Sequence, residues 1–179
     1  MTKKLIFAGF GGQGVLMMGY LLAFSAMRDG KNVTYLPAYG AEVRGGTANC
    51  TVVIADEEIY SPVASSPDYV IVMNKPSLKR YEGMVASKGT MFINSSLVDI
   101  EPNRSDINVV KIPVNDIAKE IGSDKAINMI MLGAVATKTG LTTLESLESA
   151  LREVTKGKEK FMEINKKGLL AGAEYVKRS

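Results

Sequence analysis

The residues most suited to chemistry lie near the start of the chain. Gly9-Phe10-Gly11-Gly12-Gln13-Gly14 fits a G-x-G-x-x-G template between the apolar run Leu5 to Ala8 and the longer run Val15 to Met27. The chemistry such a loop offers is anion binding. Glycines lack a Cβ, so backbone N–H groups can approach a phosphate, pyrophosphate or carboxylate at a helix N-terminus, where the helix dipole favours negative charge. Two readings of the loop stand at this point: contact with an anionic ligand, or a tight turn with close helix–strand packing. A dinucleotide is disfavoured. A Rossmann site wants an acid near the end of the second strand to hold the ribose, and that strand ends Tyr35-Leu36-Pro37-Ala38.

A second segment, Pro37 to Gly46, carries Tyr39, Glu42, Arg44, Gly45 and Gly46. It follows the second strand, so in a parallel sheet it emerges on the same edge as the glycine loop, where ligands of open α/β sheets collect. Arg44 either pairs with Glu42 to hold the loop in shape or grips an anionic ligand or a partner, since its planar fork suits carboxylate and phosphate. A third segment, Ala126 to Ala134, opens an apolar helix with Asn128 in its first turn. An amide in such company needs a hydrogen bond, so a satisfied buried amide or local cap is the first expectation for it.

Counting excludes much else. The chain has one cysteine, Cys50, and no histidine. Neither an internal disulfide, a cluster of the usual four cysteines, nor a His-ligated zinc can be built from it. Histidine acid/base catalysis is absent too, and Cys50, inside a predicted strand, reads as a structural thiol. The residues therefore point to a binding role, with no catalytic residue and no metal ligand. The net charge of +3, from 22 basic and 19 acidic residues, is too small to argue for nucleic acid. The apolar stretches are too short for a signal sequence or a bilayer span, which points to a cytoplasmic location.

These segments need a scaffold. Leu5 to Ala8 reads as a buried strand, Val15 to Arg28 as a helix apolar on nearly every face, and Asn32 to Leu36 as a second strand. Together they predict a βαβ unit with parallel strands. Thr47 to Ala55 alternates, and Asp56-Glu57-Glu58 predicts a turn that returns through Ile59-Tyr60 as a β-hairpin. Further strands are expected at Tyr69 to Met73, Thr90 to Ile93 and Asn108 to Ile112, with a helix over Pro76 to Val85. The last third reads as helices over Asn115 to Ile121, Ala126 to Thr139, Leu144 to Val154 and Lys158 to Val176, the last with Phe161 and Ile164 on its apolar face. The fold class is α/β: a Rossmann-like three-layer domain over 1–179, with a mostly parallel sheet, a β-hairpin addition and C-terminal helices.

Taken together and in this order, Gly9-Phe10-Gly11-Gly12-Gln13-Gly14, Tyr39-Gly40-Ala41-Glu42-Val43-Arg44-Gly45-Gly46 and Asn128-Met129 followed by Leu132-Gly133-Ala134 resemble the gamma subunit of the 2-oxoacid:ferredoxin oxidoreductases, the pyruvate, 2-oxoisovalerate and 2-oxoglutarate enzymes. Pro62 and Asn74-Lys75-Pro76-Ser77 look more like the branched-chain or 2-oxoglutarate members. The resemblance implies a subunit, inactive alone, of an enzyme that oxidatively decarboxylates a 2-oxoacid to an acyl-CoA and passes electrons to ferredoxin. It implies alpha, beta and ferredoxin-like delta partners, with thiamine diphosphate and iron–sulfur clusters on those partners. This chain would serve as a scaffold and a wall of the coenzyme A site, and an isolated chain would pair with itself through apolar surface meant for partners. Gly9, Gly11, Gly12, Gln13, Gly14, Tyr39, Glu42, Arg44, Gly45, Gly46 and Asn128 are the candidate binding residues. An indolepyruvate:ferredoxin oxidoreductase subunit and a non-catalytic nucleotide-binding module are the alternatives.

Overall fold

The computed structural model describes residues 1–38, 47–156 and 158–179. Among them, six strands form one sheet in the order β2-β3-β1-β4-β5-β6. The strands are β1 (Thr2–Phe10), β2 (Asn32–Ala38), β3 (Thr47–Ala55), β4 (Tyr69–Val72), β5 (Thr90–Asn94) and β6 (Asn108–Ile112). The helices are α1 (Val15–Arg28), α2 (Lys75–Tyr81), α3 (Val114–Glu120), α4 (Ile127–Thr139), α5 (Leu144–Val154) and α6 (Glu159–Arg178).

Strand alternation divides the core in two. On β1, Leu5 and Phe7 face the large cluster formed with α1, α3, α4, α5 and α6, while Ile6 and Ala8 face a smaller one with Leu78 and Tyr81 of α2. Ile71 and Phe92 join the first cluster, and Val70, Val72, Met91 and Ile93 the second. Side chains on a strand alternate between faces, so the apolar run of each of these strands supplies both layers. The result is the expected three-layer arrangement.

The pairing departs from expectation in two places. β1 and β2 point the same way but are not neighbours, because β3 lies between them and pairs antiparallel with both. The polar turn after Ala55 does not return as a strand: Ile59 and Tyr60 lie outside the sheet, and Tyr60 is 90% exposed. The partner of β3 in the antiparallel ribbon is therefore β2. β3 is long and apolar at Cys50, Val52 and Ile54, so it gains more by sitting between two strands than at an edge. From β1 to β6 the pairing is parallel.

On α1, the face toward the sheet and α5 is buried, while Met17, Tyr20 and Met27 are exposed. Tyr20 stacks on Phe24 at 5.9 Å and meets Tyr35 of β2 edge-on at 5.7 Å. Asp29 ends α1 and ties it to α5: its carboxylate accepts from Thr142 Oγ1 at 3.1 Å and Ser146 Oγ at 2.7 Å. On α6, the expected apolar face is rotated. Phe161 is 49% exposed, and the buried stripe is Met162, Asn165, Gly168, Leu169, Gly172, Ala173 and Val176, with Ile164 only partly covered. The small residues explain the rotation. α6 packs so tightly on α4 that a Cβ on Gly172 would overlap the Ile130 carbonyl oxygen and come within 2.7 Å of its carbon. Among the described residues, no helix is long and apolar enough to cross a membrane.

Candidate functional site

The glycine loop leaves the C-terminal end of β1, and β4 runs beside it. From β1 the chain proceeds by α1 towards β2 and β3. From β4 it proceeds by α2, on the opposite face, towards β5. The boundary between β1 and β4 is thus a topological switch point, the place where open α/β sheets form a ligand crevice.

The loop is a tight turn. Gln13 N donates to Phe10 O at 3.2 Å, and Gly12 adopts φ 94°. Gly14 is the N-cap of α1 with φ 72° and gives no side-chain cap, while Met18 N closes the first helical turn on Gly14 O at 3.0 Å. The first amides of α1 have no partner within the helix by its geometry. No acidic residue occupies its first turn, so nothing there offsets the positive end of the helix dipole. Gly11 and Gly12 are exposed, and among the described residues no heavy atom lies within 4 Å of where a Cβ would stand. That open backbone face can take an anion.

Gln13 behaves differently. Its Oε1 accepts from Phe10 N at 2.7 Å and from Asn74 Nδ2 at 3.4 Å, and its Nε2 donates to Met73 O at 3.2 Å. Both ends of the carboxamide are engaged across the switch point. Gly9 makes room for it, since a Cβ there would lie 2.6 Å from Gln13 Oε1 and 2.9 Å from Met73 Cβ. Asn128, from the first turn of α4, sits over Gly14, and its Oδ1 accepts from Met129 N at 3.0 Å.

The structure therefore brings together Gly9, Gly11, Gly12, Gln13, Gly14 and Asn128. Tyr39, Glu42, Arg44, Gly45 and Gly46 lie outside the described residues. The positions flanking that segment, Ala38 and Thr47, end β2 and begin β3, and Thr47 pairs with Phe10. Both flanks thus stand on the glycine-loop edge of the sheet.

Three asparagines linked to the loop by hydrogen bonds were not singled out by the sequence as site residues: Asn74, Asn94 and Asn115. Asn74 caps α2, accepting from Ser77 N at 2.9 Å, and is 2% exposed. Asn94 is fully buried and donates to Asn115 Oδ1 at 2.8 Å and to Met73 O at 3.3 Å. A signal existed. Met73-Asn74 and Ile93-Asn94 each place an asparagine directly after an apolar strand. A buried polar group there must find partners.

Cys50 is buried on β3 and its Sγ donates to Val15 O at 3.6 Å. Burial pushes the thiol up to about 12, against a smaller opposing effect of the Gly19 backbone. It is protonated at neutral pH, which removes it as a nucleophile. Among the described residues, no group of three or more His, Cys, Asp or Glu could hold a metal ion.

Comparison with known proteins agrees with this architecture. The family model "Pyruvate ferredoxin/flavodoxin oxidoreductase" matches residues 4–175. Ketoisovalerate oxidoreductase subunit VorA of Methanothermobacter marburgensis is 40% identical over 174 residues, which cover 96% of this chain but only 36% of that protein. The chain thus spans about a third of the length of this curated relative. The crystal structure of a keto/oxoacid ferredoxin oxidoreductase gamma subunit from Geobacter sulfurreducens superposes with TM-score 0.85 at 26% identity, covering 99% of both chains. A 2-oxoglutarate:ferredoxin oxidoreductase from Magnetococcus marinus, solved with 2-oxoglutarate, coenzyme A and succinyl-CoA bound, shares the fold with TM-score 0.90 at 23% identity, over 99% of this chain and 31% of that one. With the family model matching nearly its whole length, the chain belongs to the pyruvate ferredoxin/flavodoxin oxidoreductase family.

Proposed function

We propose that this chain, as one domain over 1–179, is the gamma-type subunit of a cytoplasmic 2-oxoacid:ferredoxin oxidoreductase, and that its glycine loop forms one wall of the coenzyme A site. The reaction would convert a 2-oxoacid and CoA to acyl-CoA and CO2, with two electrons passed to ferredoxin. The observation that carries the reading is the backbone of Gly11 and Gly12, open among the described residues, at the switch point beside the N-terminus of α1, whose first turn holds no acidic residue. These features fit a phosphate of CoA. The end of β2, at Leu36 and Ala38, offers no acid for a ribose, which disfavours a dinucleotide in the same place. Arg44 and Tyr39, from the adjoining segment, would complete the anion site, with Glu42 holding Arg44 in place.

Family membership supports partner chains. The Geobacter gamma subunit is matched end to end, whereas the ketoisovalerate relative extends far beyond the matched region. One domain that occurs both alone and inside a longer chain supports a partner chain standing beside this one in the assembly. Alpha, beta and ferredoxin-like delta subunits would carry thiamine diphosphate and the iron–sulfur clusters. This chain, with one cysteine and no histidine, would supply scaffold and binding surface. Purified alone, it would pair with itself through surface meant for those partners.

Purification from its source under native conditions tests the assembly: partner chains bearing thiamine diphosphate and clusters are expected, and a lone monomer would overturn it. Calorimetric titration of that complex with CoA, NAD and FAD tests the site. CoA is expected to bind; tight NAD binding without CoA binding would overturn the reading. An unchanged Michaelis constant for CoA in the Arg44→Ala complex would remove Arg44 from it.

A further inference from the structure

We infer that Gln13, Asn74 and Asn94 are positioning residues: a carboxamide network, buried at Asn74 and Asn94 and half-buried at Gln13, that bolts the glycine loop across the switch point and sets the backbone that meets the ligand. The inference rests on the reading of Gly11 and Gly12 as the CoA-facing surface.

The network is continuous. Asn115 Oδ1 accepts from Asn94 Nδ2, and the same nitrogen donates to Met73 O. Met73 O also accepts from Gln13 Nε2, so one carbonyl at the end of β4 joins the two amides. Gln13 Oε1 then accepts from Phe10 N, at the root of the loop, and from Asn74 Nδ2, at the cap of α2. Asn94 Oδ1 closes the far end by accepting from Ser96 N at 3.2 Å. Gln13, Asn74 and Asn94 thus each have both the carboxamide oxygen and the nitrogen engaged. Buried polar networks of this kind impose one geometry, because a displaced member leaves partners unpaired.

The consequence for the loop is specific. Gln13 turns its carboxamide inward, with Nε2 on Met73 O and Oε1 on Phe10 N and Asn74 Nδ2. It withdraws the Phe10 amide from the open face and leaves the backbone around Gly11 and Gly12 to present donors. A ligand anion needs such donors held in place before it arrives. Asn74 and Asn94, which touch no part of the open face, act only through Gln13 and Met73.

The test uses the assembled enzyme for kinetics and the full chain for amide exchange. Gln13→Met keeps the length of the side chain and removes its three hydrogen bonds. Asn74→Ser keeps an acceptor for Ser77 N but cannot reach Gln13. Gly11→Asp, placed in open space, puts a carboxylate on the proposed anion face. Gln13→Met is expected to raise the Michaelis constant for CoA about tenfold, and Asn74→Ser about threefold, as the loss of one or two net hydrogen bonds would. The constant for the 2-oxoacid should hold. In parallel, hydrogen exchange at the Phe10 amide should accelerate in Gln13→Met while Leu5 to Ala8 stay protected, a local effect that general destabilisation would not produce. If Gly11→Asp weakens CoA and Gln13→Met changes neither CoA nor Phe10 exchange, the positioning role is overturned and the loop reading survives. If Gly11→Asp leaves CoA unaffected, the loop reading fails, and Phe10 exchange alone decides whether Gln13 sets the loop. If Gln13→Met does not fold, the Asn74→Ser arm decides by the same CoA and Phe10 readouts.

Discussion

Gly14 and Asn128 are in direct contact: a Cβ on Gly14 would overlap the Asn128 carboxamide nitrogen and lie 2.7 Å from its carbon. The contact ties the first residue of one helix's cap to the first turn of another helix 114 positions away in the chain (128 − 14). It is the reason two separate sequence motifs meet at one place.

Gly14→Ala should therefore fail twice, through the left-handed backbone at φ 72° and through the overlap. The backbone part alone costs about 1–2 kcal/mol. Adding Asn128→Ala removes the two closest atoms and should restore the overlap part only, giving a favourable coupling of about 1 kcal/mol in a double-variant cycle. Urea unfolding of the four proteins measures it. Strict additivity would show that the two residues do not press on each other.

Gly172→Ala should be among the most damaging single methyl additions. The clash is with the backbone of Ile130, and Ala134 N lies 3.0 Å from the added carbon, so no side chain can move aside. A loss of roughly 3 kcal/mol is expected as α4 and α6 are forced apart. Gly83→Ala is the matched control. It meets open space at an ordinary φ and should be neutral or stabilise by about 0.4–1 kcal/mol through the unfolded chain. Thermal or urea unfolding of both distinguishes a tight crossing from a general intolerance of alanine.

Cys50 should resist thiol reagents at pH 8 in the native protein and react with one equivalent once the chain is unfolded. Burial raises its folded value from 9.0 to about 12. Between those limits the folded state holds a proton that the unfolded state has lost. This contribution to stability is complete below about pH 9 and is lost as pH rises towards 12. Native reactivity at pH 8 equal to that in urea would contradict the buried placement.

Asp56 titrates in the opposite sense. The Lys31 ammonium, followed by the N-terminal amine, holds its carboxyl down at about 2. A lowered carboxyl contributes stability above its unfolded value, near 3.9, and the contribution is lost as pH falls through about 2. Lys31→Met should raise the midpoint followed by carboxyl carbon NMR. Added salt should do the same in the parent protein, because the pair is exposed and screened. A midpoint that ignores both would mean the ion pair is not formed in solution.

Local pattern made most of the elements legible. Val15 to Arg28, Asn108 to Ile112 and Leu144 to Val154 occupy the ranges that their hydrophobic periodicity predicts. α4 ends at Thr139, as its expected range does, and Gly140 caps it at φ 65°. The glycine loop was legible as an anion-friendly turn because its requirement is local. The inward turn of Gln13 was not, since it depends on Met73 and Asn74, some sixty positions away. The exposure of Phe161 was hidden for a similar reason. Helical spacing alone allowed either stripe of α6 to be the buried one, and the glycines that admit α4 decided it.

By itself, then, the sequence determined the alternation of strands and helices, the absence of histidine and cluster-forming cysteines, and the paired motifs that mark the family. Those follow from composition and from spacing within a few turns of chain. Only the tertiary structure decided that β3 divides β1 from β2, that Ile59 and Tyr60 stay outside the sheet, and that three carboxamides meet at Met73 and Gln13. Strand neighbours are chosen by which distant faces bury most surface together. Buried amides are partnered by whatever the packed chain brings within reach, and neither choice leaves a mark at the spacing of neighbouring residues.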